Sequence, residues 1–334
     1  MLRPPLVATL TLIAAALPHH ALAELTNLRA AKQYGLGYLQ YMIMEDQKLT
    51  EKHAKAAGLG EITVEWSTFR SSDVMNDALL SGSVHFVSLG VPGLMTIWDR
   101  TKGSIDVKGA SGLNALPLAL MVRDDNIRTL KDFTDQHRIA MPAVKVSNQA
   151  ILLQMACEKE FGRGNHAKLD AITVAMAHPD ATVAMISGSK DIPANFSSVP
   201  FQNRQAKTPG IRRLITSTDI LGAPFSFNIV ATTSKFRTDN PKLYKAYLDA
   251  LNEATEIINK DRQFAAETYL RMAKDKTPIE EIVALLNDPE HLFTTSVTPI
   301  DGMIQFMVRT GNFKNKPSAA SDLLFDEARL DHPR

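Results

Sequence analysis

From Thr26 to Thr232 the chain alternates short apolar runs of strand length with segments whose apolar residues recur at helical spacing. That alternation restricts it to β-sheets covered by helices. The spacing predicts strands over 26–33, 62–66, 84–89 and 116–122 in the first part. It predicts further strands over 138–141, 171–175, 191–195 and 225–232. Helices fall between them. Tyr34-Gly35-Leu36-Gly37 reads as a turn, followed by a helix over 38–46. Ser71, Ser72 and Asp73 supply an N-cap for a helix with Val74, Met75, Ala78 and Leu79 on its apolar face, and Gly82 follows as a C-cap. Gly90-Val91-Pro92 opens another helix, with Pro92 suited to its first turn. Ser147 caps a helix reaching Phe161, and His178-Pro179-Asp180 begins one ending at Gly188. Such alternation points to parallel α/β sheets. Leu79-Leu80-Ser81-Gly82-Ser83 and Met185-Ile186-Ser187-Gly188-Ser189 echo each other, a helix-to-strand turn used twice.

Beyond residue 232 the pattern becomes helical, over 241–259, 262–274, 279–286 and 300–310. No low-complexity tract or Pro- or Gly-rich linker interrupts the chain, so crossing strands at 116–122 and 225–232 are expected to join two lobes. The expected division is a signal peptide at 1–23, lobe 1 at 24–115, lobe 2 at 116–224, and a return to lobe 1 with C-terminal helices at 225–334.

The start of the chain sets the compartment. Arg3 is the only charged residue before Glu24, the run from Leu6 to Leu17 is apolar, and Ala21-Leu22-Ala23 follows Pro18. A basic start, a short apolar core and an A-x-A site make a secretory signal peptide, cleaved after Ala23. The apolar run is shorter than the ~20 residues a spanning helix needs. No cysteine lies near the cleavage site, so the expected location is the periplasm, without a lipid anchor. The single Cys157 forms no internal disulfide and sits in the apolar stretch after Ala150, where it reads as a core residue.

Charge narrows the partners. With 37 basic and 36 acidic residues the chain is nearly neutral, which argues against nucleic-acid binding and against a polybasic membrane surface. Catalytic strings are missing: there is no G-x-S-x-G elbow, P-loop or H-E-x-x-H, and Gly35-x-Gly37 lacks the third glycine of a dinucleotide turn. His53, His85, His137, His166, His178, His291 and His332 show no metal-ligand spacing. No catalytic residue, cofactor or metal is expected.

Several segments, in order, resemble the solute-binding proteins of nitrate/taurine/sulfonate-type ABC importers. They are Trp66-Ser67-Thr68-Phe69 with Ala78 to Val84, Thr129-Leu130-Lys131-Asp132-Phe133 ahead of the strand at 138–141, and Met185 to Asp191 with Pro200 beyond. Val297-Thr298-Pro299-Ile300 and Gly311-Asn312-Phe313 continue the resemblance to the tail. Two departures stand out. His85 occupies a position often acidic in that family, and Asn195-Phe196-Ser197-Ser198-Val199-Pro200 replaces a W-D-P-type segment. The resemblance implies a two-lobed periplasmic binding protein fold (type II-like), with a ligand cleft between lobes and a helical C-terminal segment. It implies a monomer that captures a small organic or oxyanionic solute by cleft closure, with a permease and an ATPase at the inner membrane as partners. An exported ligand sensor would use the same cleft. An enzyme on the same fold, acting on a pyrimidine-like substrate, is a third reading; relatives of that kind carry a cysteine-rich segment that this chain lacks.

In open α/β sheets ligands bind beyond the carboxyl ends of the strands. Those places are 34–38, 67–71, 90–92, 112–115, 144–148 and 195–198, several of them ahead of helices whose dipoles favour an anion. Candidate ligand-binding residues are Gly35, Gly37, Tyr38, Thr68, Phe69, Gly90, Val91, Asn114, Ser147, Asn195, Phe196 and Phe225. Ser147 is an N-cap or a contact, and Gly35 and Gly37 serve a turn or a ligand. Phe69, Phe196 and Phe225 pack on a ligand or in the core. Asn114 and Asn195 suit ligand orientation, because an amide both donates and accepts. Arg70 reads as an exposed arginine or an anion partner, and His85 as structural or surface.

Overall fold

The computed structural model describes residues 23–331. The expected export signal up to Leu22, and His332, lie outside them. Eleven strands among the described residues form three hydrogen-bonded sets. In chain order the strands are β1 (Asn27–Lys32), β2 (Thr63–Thr68), β3 (Val87–Leu89), β4 (Val107–Ala115), β5 (Ala119–Val122) and β6 (Ile139–Met141). They continue with β7 (Thr173–Ala175), β8 (Ala194–Ser197), β9 (Arg212–Thr216), β10 (Asn228–Thr233) and β11 (Leu292–Phe293).

The first half is built on the order β11-β4-β10-β3, extended by the parallel pair β1-β2. The pair is tied on by an Ala30–Phe86 bridge and by Ala31 N–H donating to Phe86 O at 2.9 Å. The second half is a sheet of order β7-β6-β8-β5-β9. Between them the chain passes twice, over Leu116-Pro117-Leu118 from β4 to β5, and over residues 217–227 from β9 to β10.

The parallel sheets implied by strand–helix alternation are found in β1-β2 and in β7-β6-β8, where helices connect the strands. They are not found at the passages. There β5 runs antiparallel to β8 and β9, and β10 antiparallel to β3 and β4. The three-residue link joins β4 to β5, which lie in different sheets, so it carries the chain from one sheet to the other without a helical crossover.

Helix starts follow the local chemistry. The Ser147 hydroxyl accepts from Ala150 N–H at 3.2 Å and starts the helix Asn148–Phe161. Proline occupies the first turn of Val91–Thr101, His178–Ser187 and Pro241–Lys260. The last of these packs on the first sheet, with Tyr247 stacked on Phe86 at 3.9 Å between centroids. Its start is held by Glu24, whose carboxylate accepts from Leu243 N–H at 2.7 Å, an anion at a helix N-terminus. In the second sheet the period of two is clear. Leu120, Val122, Ile139, Met141 and Phe196 join the large core that also holds Cys157, while Met121 and Ala140 face a smaller cluster around Ala181 and Met185. Burial pushes the Cys157 thiol up to about 12, so it is an inert core group.

Several boundaries differ from the expected ones. Residues 112–115, read as a loop, belong to β4; small residues such as Gly109, Ser111 and Gly112 carry little strand propensity, and pairing with β10 overrides it. The strand expected at 191–195 is β8, Ala194–Ser197, because Pro193 has no N–H to donate. Asn195 is therefore inside a strand that is paired on both sides. The strand expected at 225–232 begins at Asn228, the one at 171–175 begins at Thr173, and the one at 84–89 at Val87. The segment at 116–122 becomes a strand only at Ala119, after Pro117. Sequence periodicity missed β9, an edge strand that opens with two arginines, and the polar helix Leu49–Ala56.

Candidate functional site

Four helices begin around one small cavity between the two sheets. Ser72 and Gly90 reach it from the first half, at the starts of Ser72–Leu80 and Val91–Thr101. From the second half come Ser147, Asn148 and Gln149, at the start of Asn148–Phe161, and His178, at the start of His178–Ser187. Gln33, Tyr34, Tyr38, Phe227 and Asn228 complete the first-half wall. The cavity measures about 20 Å³, room for roughly one water molecule. The two halves are thus shut upon each other.

Asn148 is the bolt. It is 3% exposed; its Oδ1 accepts from Val91 N–H at 3.1 Å, and its Nδ2 donates to Phe227 O at 2.7 Å. One side chain of the second half therefore satisfies two backbone groups of the first. Gly90 permits this approach, since a Cβ there would lie 2.5 Å from Asn148 Nδ2. A second backbone bond crosses nearby, Leu36 N–H to Val199 O at 3.1 Å. Gly35 stands beside it at φ 98°, a conformation that favours glycine, with Val199 O 2.9 Å from where its Cβ would be.

Beneath the cavity lies a buried amide network. Gly37 O accepts from Asn114 Nδ2 at 2.7 Å and from Asn228 Nδ2 at 3.1 Å, and Tyr38 OH donates to Asn228 Oδ1 at 3.3 Å. Burial raises the Tyr38 hydroxyl far above its ordinary range, so it stays a donor. His178 is governed by burial too, its pKa drawn down from 6.5 to about 4, and the ring is neutral at pH 7. Its Nε2 lies 3.3 Å from Gln149 Nε2 and accepts from that amide, which leaves the proton on Nδ1, an atom without a partner. No Asp, Glu, Lys or Arg lines the cavity. The arrangement offers neutral donors and helix N-termini, suited to an oxyanion or a polar acceptor group.

The structure gathers only part of the expected set. Tyr38, Gly90 and Ser147 line the cavity, Val91 meets Asn148, and Gly37 and Asn114 support the floor. Gly35 and Thr68 line an adjoining outer chamber of about 470 Å³, which shares Gln33 and Tyr34 with the cavity. Phe69 is half-buried against the core. Asn195 and Phe196 are buried within β8 and line neither space, and Phe225 borders a small void at the passage between halves with Leu116 and Ser217. Strand-end reasoning took in Asn148 at the end of 144–148 without naming it a candidate, and it missed Ser72, Gln149 and His178. Each occupies the first or second position of a helix whose start was legible in the sequence, and that position was the available signal. His85 is structural: its Nδ1 accepts from Arg29 N–H at 3.1 Å and its ring stacks on Phe236. A larger groove of about 650 Å³ lies behind the helix Pro241–Lys260 and shares no residue with the cleft.

Among the described residues no helix is long and apolar enough to cross a membrane. No protein-family model matches the chain, and no curated protein matches it. Solved structures do. The alkanesulfonate-binding protein of Xanthomonas axonopodis pv. citri, bound to MOPS, superposes with a TM-score of 0.68 at 16% identity, over 92% of this chain and 100% of that one. The periplasmic aliphatic sulphonate binding protein of Escherichia coli gives 0.64 at 17% identity, over 90% of this chain and 99% of that one. The periplasmic nitrate-binding protein of Synechocystis PCC 6803 gives 0.61 at 15% identity, over 79% of this chain and 70% of that one. These are the kinds of protein that the sequence segments resemble. At such identities the likeness is one of fold, and on that ground the chain has the mixed α/β fold of periplasmic solute-binding proteins.

Proposed function

We propose that this protein is the solute-capturing component of an ABC-type importer, working in the periplasm with a membrane permease and an ATPase. Its two lobes, 24–115 with 225–334 and 116–224, close on a small organic or oxyanionic solute of the sulfonate, taurine or nitrate kind. The observation that carries the reading is the charge-free cavity at four helix N-termini, bolted across the halves by Asn148. An oxyanion there takes partial positive charge from the helix starts and hydrogen bonds from neutral groups. Tyr38, Ser72 and Asn228 supply polar groups from one side, and Ser147, Gln149 and His178 from the other. Binding energy shifts an open–closed equilibrium, and the solute is returned unchanged.

The test is direct. Ligand released from the purified protein is identified by mass spectrometry, and the protein is then screened by thermal shift against nitrate, taurine, alkanesulfonates and arylsulfonates. A captured solute raises the melting temperature by mass action and is recovered intact. Absence of any shift across the oxyanions, with no co-purified solute, removes the reading. Chemical conversion of the bound molecule would turn it into an enzyme.

A further inference from the structure

We infer that the solute is an elongated organic dianion: an oxyanion head in the inner cavity, an apolar or aromatic body, and a second acidic group in the outer chamber. This rests on the proposed solute-capturing role of the cleft and names its substrate class. Size is the first argument. The inner cavity, at about 20 Å³, has room for one water molecule and admits a small head group only as its walls part, whereas the adjoining chamber measures about 470 Å³. Pockets that hold a whole organic ligand run to roughly 300–1,000 Å³. The two spaces adjoin: Gln33 and Tyr34 line both, and His178 of the inner wall stacks at 5.5 Å on Phe201 of the outer one. A molecule lying along Tyr34 and Phe201 occupies both.

Charge is the second argument. The inner cavity has no ionic side chain, yet Lys32, Arg204, Lys274 and Lys276 all line the chamber, against Asp275 alone. Such an excess is notable in a chain with 37 basic and 36 acidic residues. Two of these cations are built in. Lys32 is 8% exposed and pairs with Glu45; Arg204 pairs with Asp275 across the two halves and lies 5.7 Å over the Phe201 ring. Lys274 and Lys276 are exposed, stand outside the ion pairs found among the described residues, and are free to meet an anion. Tyr269 and Met272 add an apolar wall between the cations. A single-headed inorganic anion leaves this chamber without a partner; a cation is repelled by it.

Calorimetry with three probes on the full mature chain decides the matter. The probes are ethanesulfonate, benzenesulfonate and 4-sulfobenzoate, the last adding only a carboxylate to the ring. The expected result is that 4-sulfobenzoate binds about tenfold more tightly than benzenesulfonate, the scale of one charge-assisted contact. In the double variant Lys274→Gln with Lys276→Gln that advantage shrinks to about twofold or less. Equal affinity for the two aryl probes in the parent protein overturns the inference while leaving solute capture intact. So does an advantage that the double variant retains in full. If none of the three probes binds to protein that melts cooperatively, the inference falls, while solute capture stands or falls on the wider oxyanion screen and the co-purified ligand.

Discussion

Two of the buried asparagines, Asn148 and Asn195, sit in opposite surroundings. Asn148, at a helix start, is 3% exposed and has both amide atoms bonded across the halves. Asn195, inside β8, is 0% exposed and neither its Nδ2 nor its Oδ1 has a partner. The Asn195 region is a polar layer behind the second sheet, where the Ser197 hydroxyl is also unpartnered and Gln205 donates to Thr182 Oγ1 at 3.0 Å. Burial of a polar side chain therefore does not mark a binding site by itself. An amide that bridges two halves does work in closure; an amide enclosed by one half is a stability cost of about 1–3 kcal/mol.

That contrast can be broken or sharpened by substitution. The largest effect is expected from Gly90→Val, which puts carbon atoms where the Asn148 amide must lie. Closure is blocked, and solute affinity in calorimetry falls about a thousandfold while circular dichroism stays native. Retained affinity would separate closure from the Asn148 contact. Next comes His178. Its folded pKa, about 4, lies below the ordinary 6.5, so the unfolded chain binds the extra proton more readily between those values. Stability is therefore full above pH 6.5 and declines as pH falls towards 4, by about 3 kcal/mol from this group. In His178→Gln, denaturant melts taken across that window should show a shallower loss. A parallel decline in parent and variant would assign it elsewhere, half-buried His85 being another histidine with a pKa drawn down to about 4.

Asn148→Ala removes both bonds across the halves and leaves Phe227 O unpaired when the cleft shuts. Affinity should drop by about thirtyfold, or about 2 kcal/mol, with the melting point of ligand-free protein little changed. The smallest effect is Asn195→Leu. Replacing an unpartnered buried amide by an apolar group of similar size should raise stability by about 1 kcal/mol, seen as a melting point about 2 °C higher. A fall in solute affinity in that variant would instead place Asn195 in the binding site, and the distinction between the two asparagines would collapse.

Much of the fold was legible because its signals are local. The N-cap at Ser147, the proline-led starts at Pro92 and Pro179, and the apolar face of the long helix Pro241–Lys260 depend on neighbours a turn apart. The segments resembling sulfonate- and nitrate-type binding proteins lie along a chain whose fold matches such proteins. What went unread depends on distant partners. β4 is a strand because β10 pairs with it from more than a hundred residues away, and β9 is one because the equally non-local β5, about ninety residues back, pairs with it. The candidate site shifted for the same reason. Strand ends pointed to Asn195 and Phe225, but the first turns of four helices meet in space, and no spacing along the chain encodes their convergence.

The sequence by itself determined the α/β class, the helix starts, the near-neutral charge and the resemblance to a solute-binding family, all set by adjacent residues or by composition. Only the tertiary structure decided that the crossing strands run antiparallel, that Asn148 rather than Asn195 spans the halves, and that the cations gather outside a charge-free cavity. Those outcomes arise from packing between segments far apart in the chain, where a shift of one strand boundary by two or three residues decides which side chain reaches the cleft.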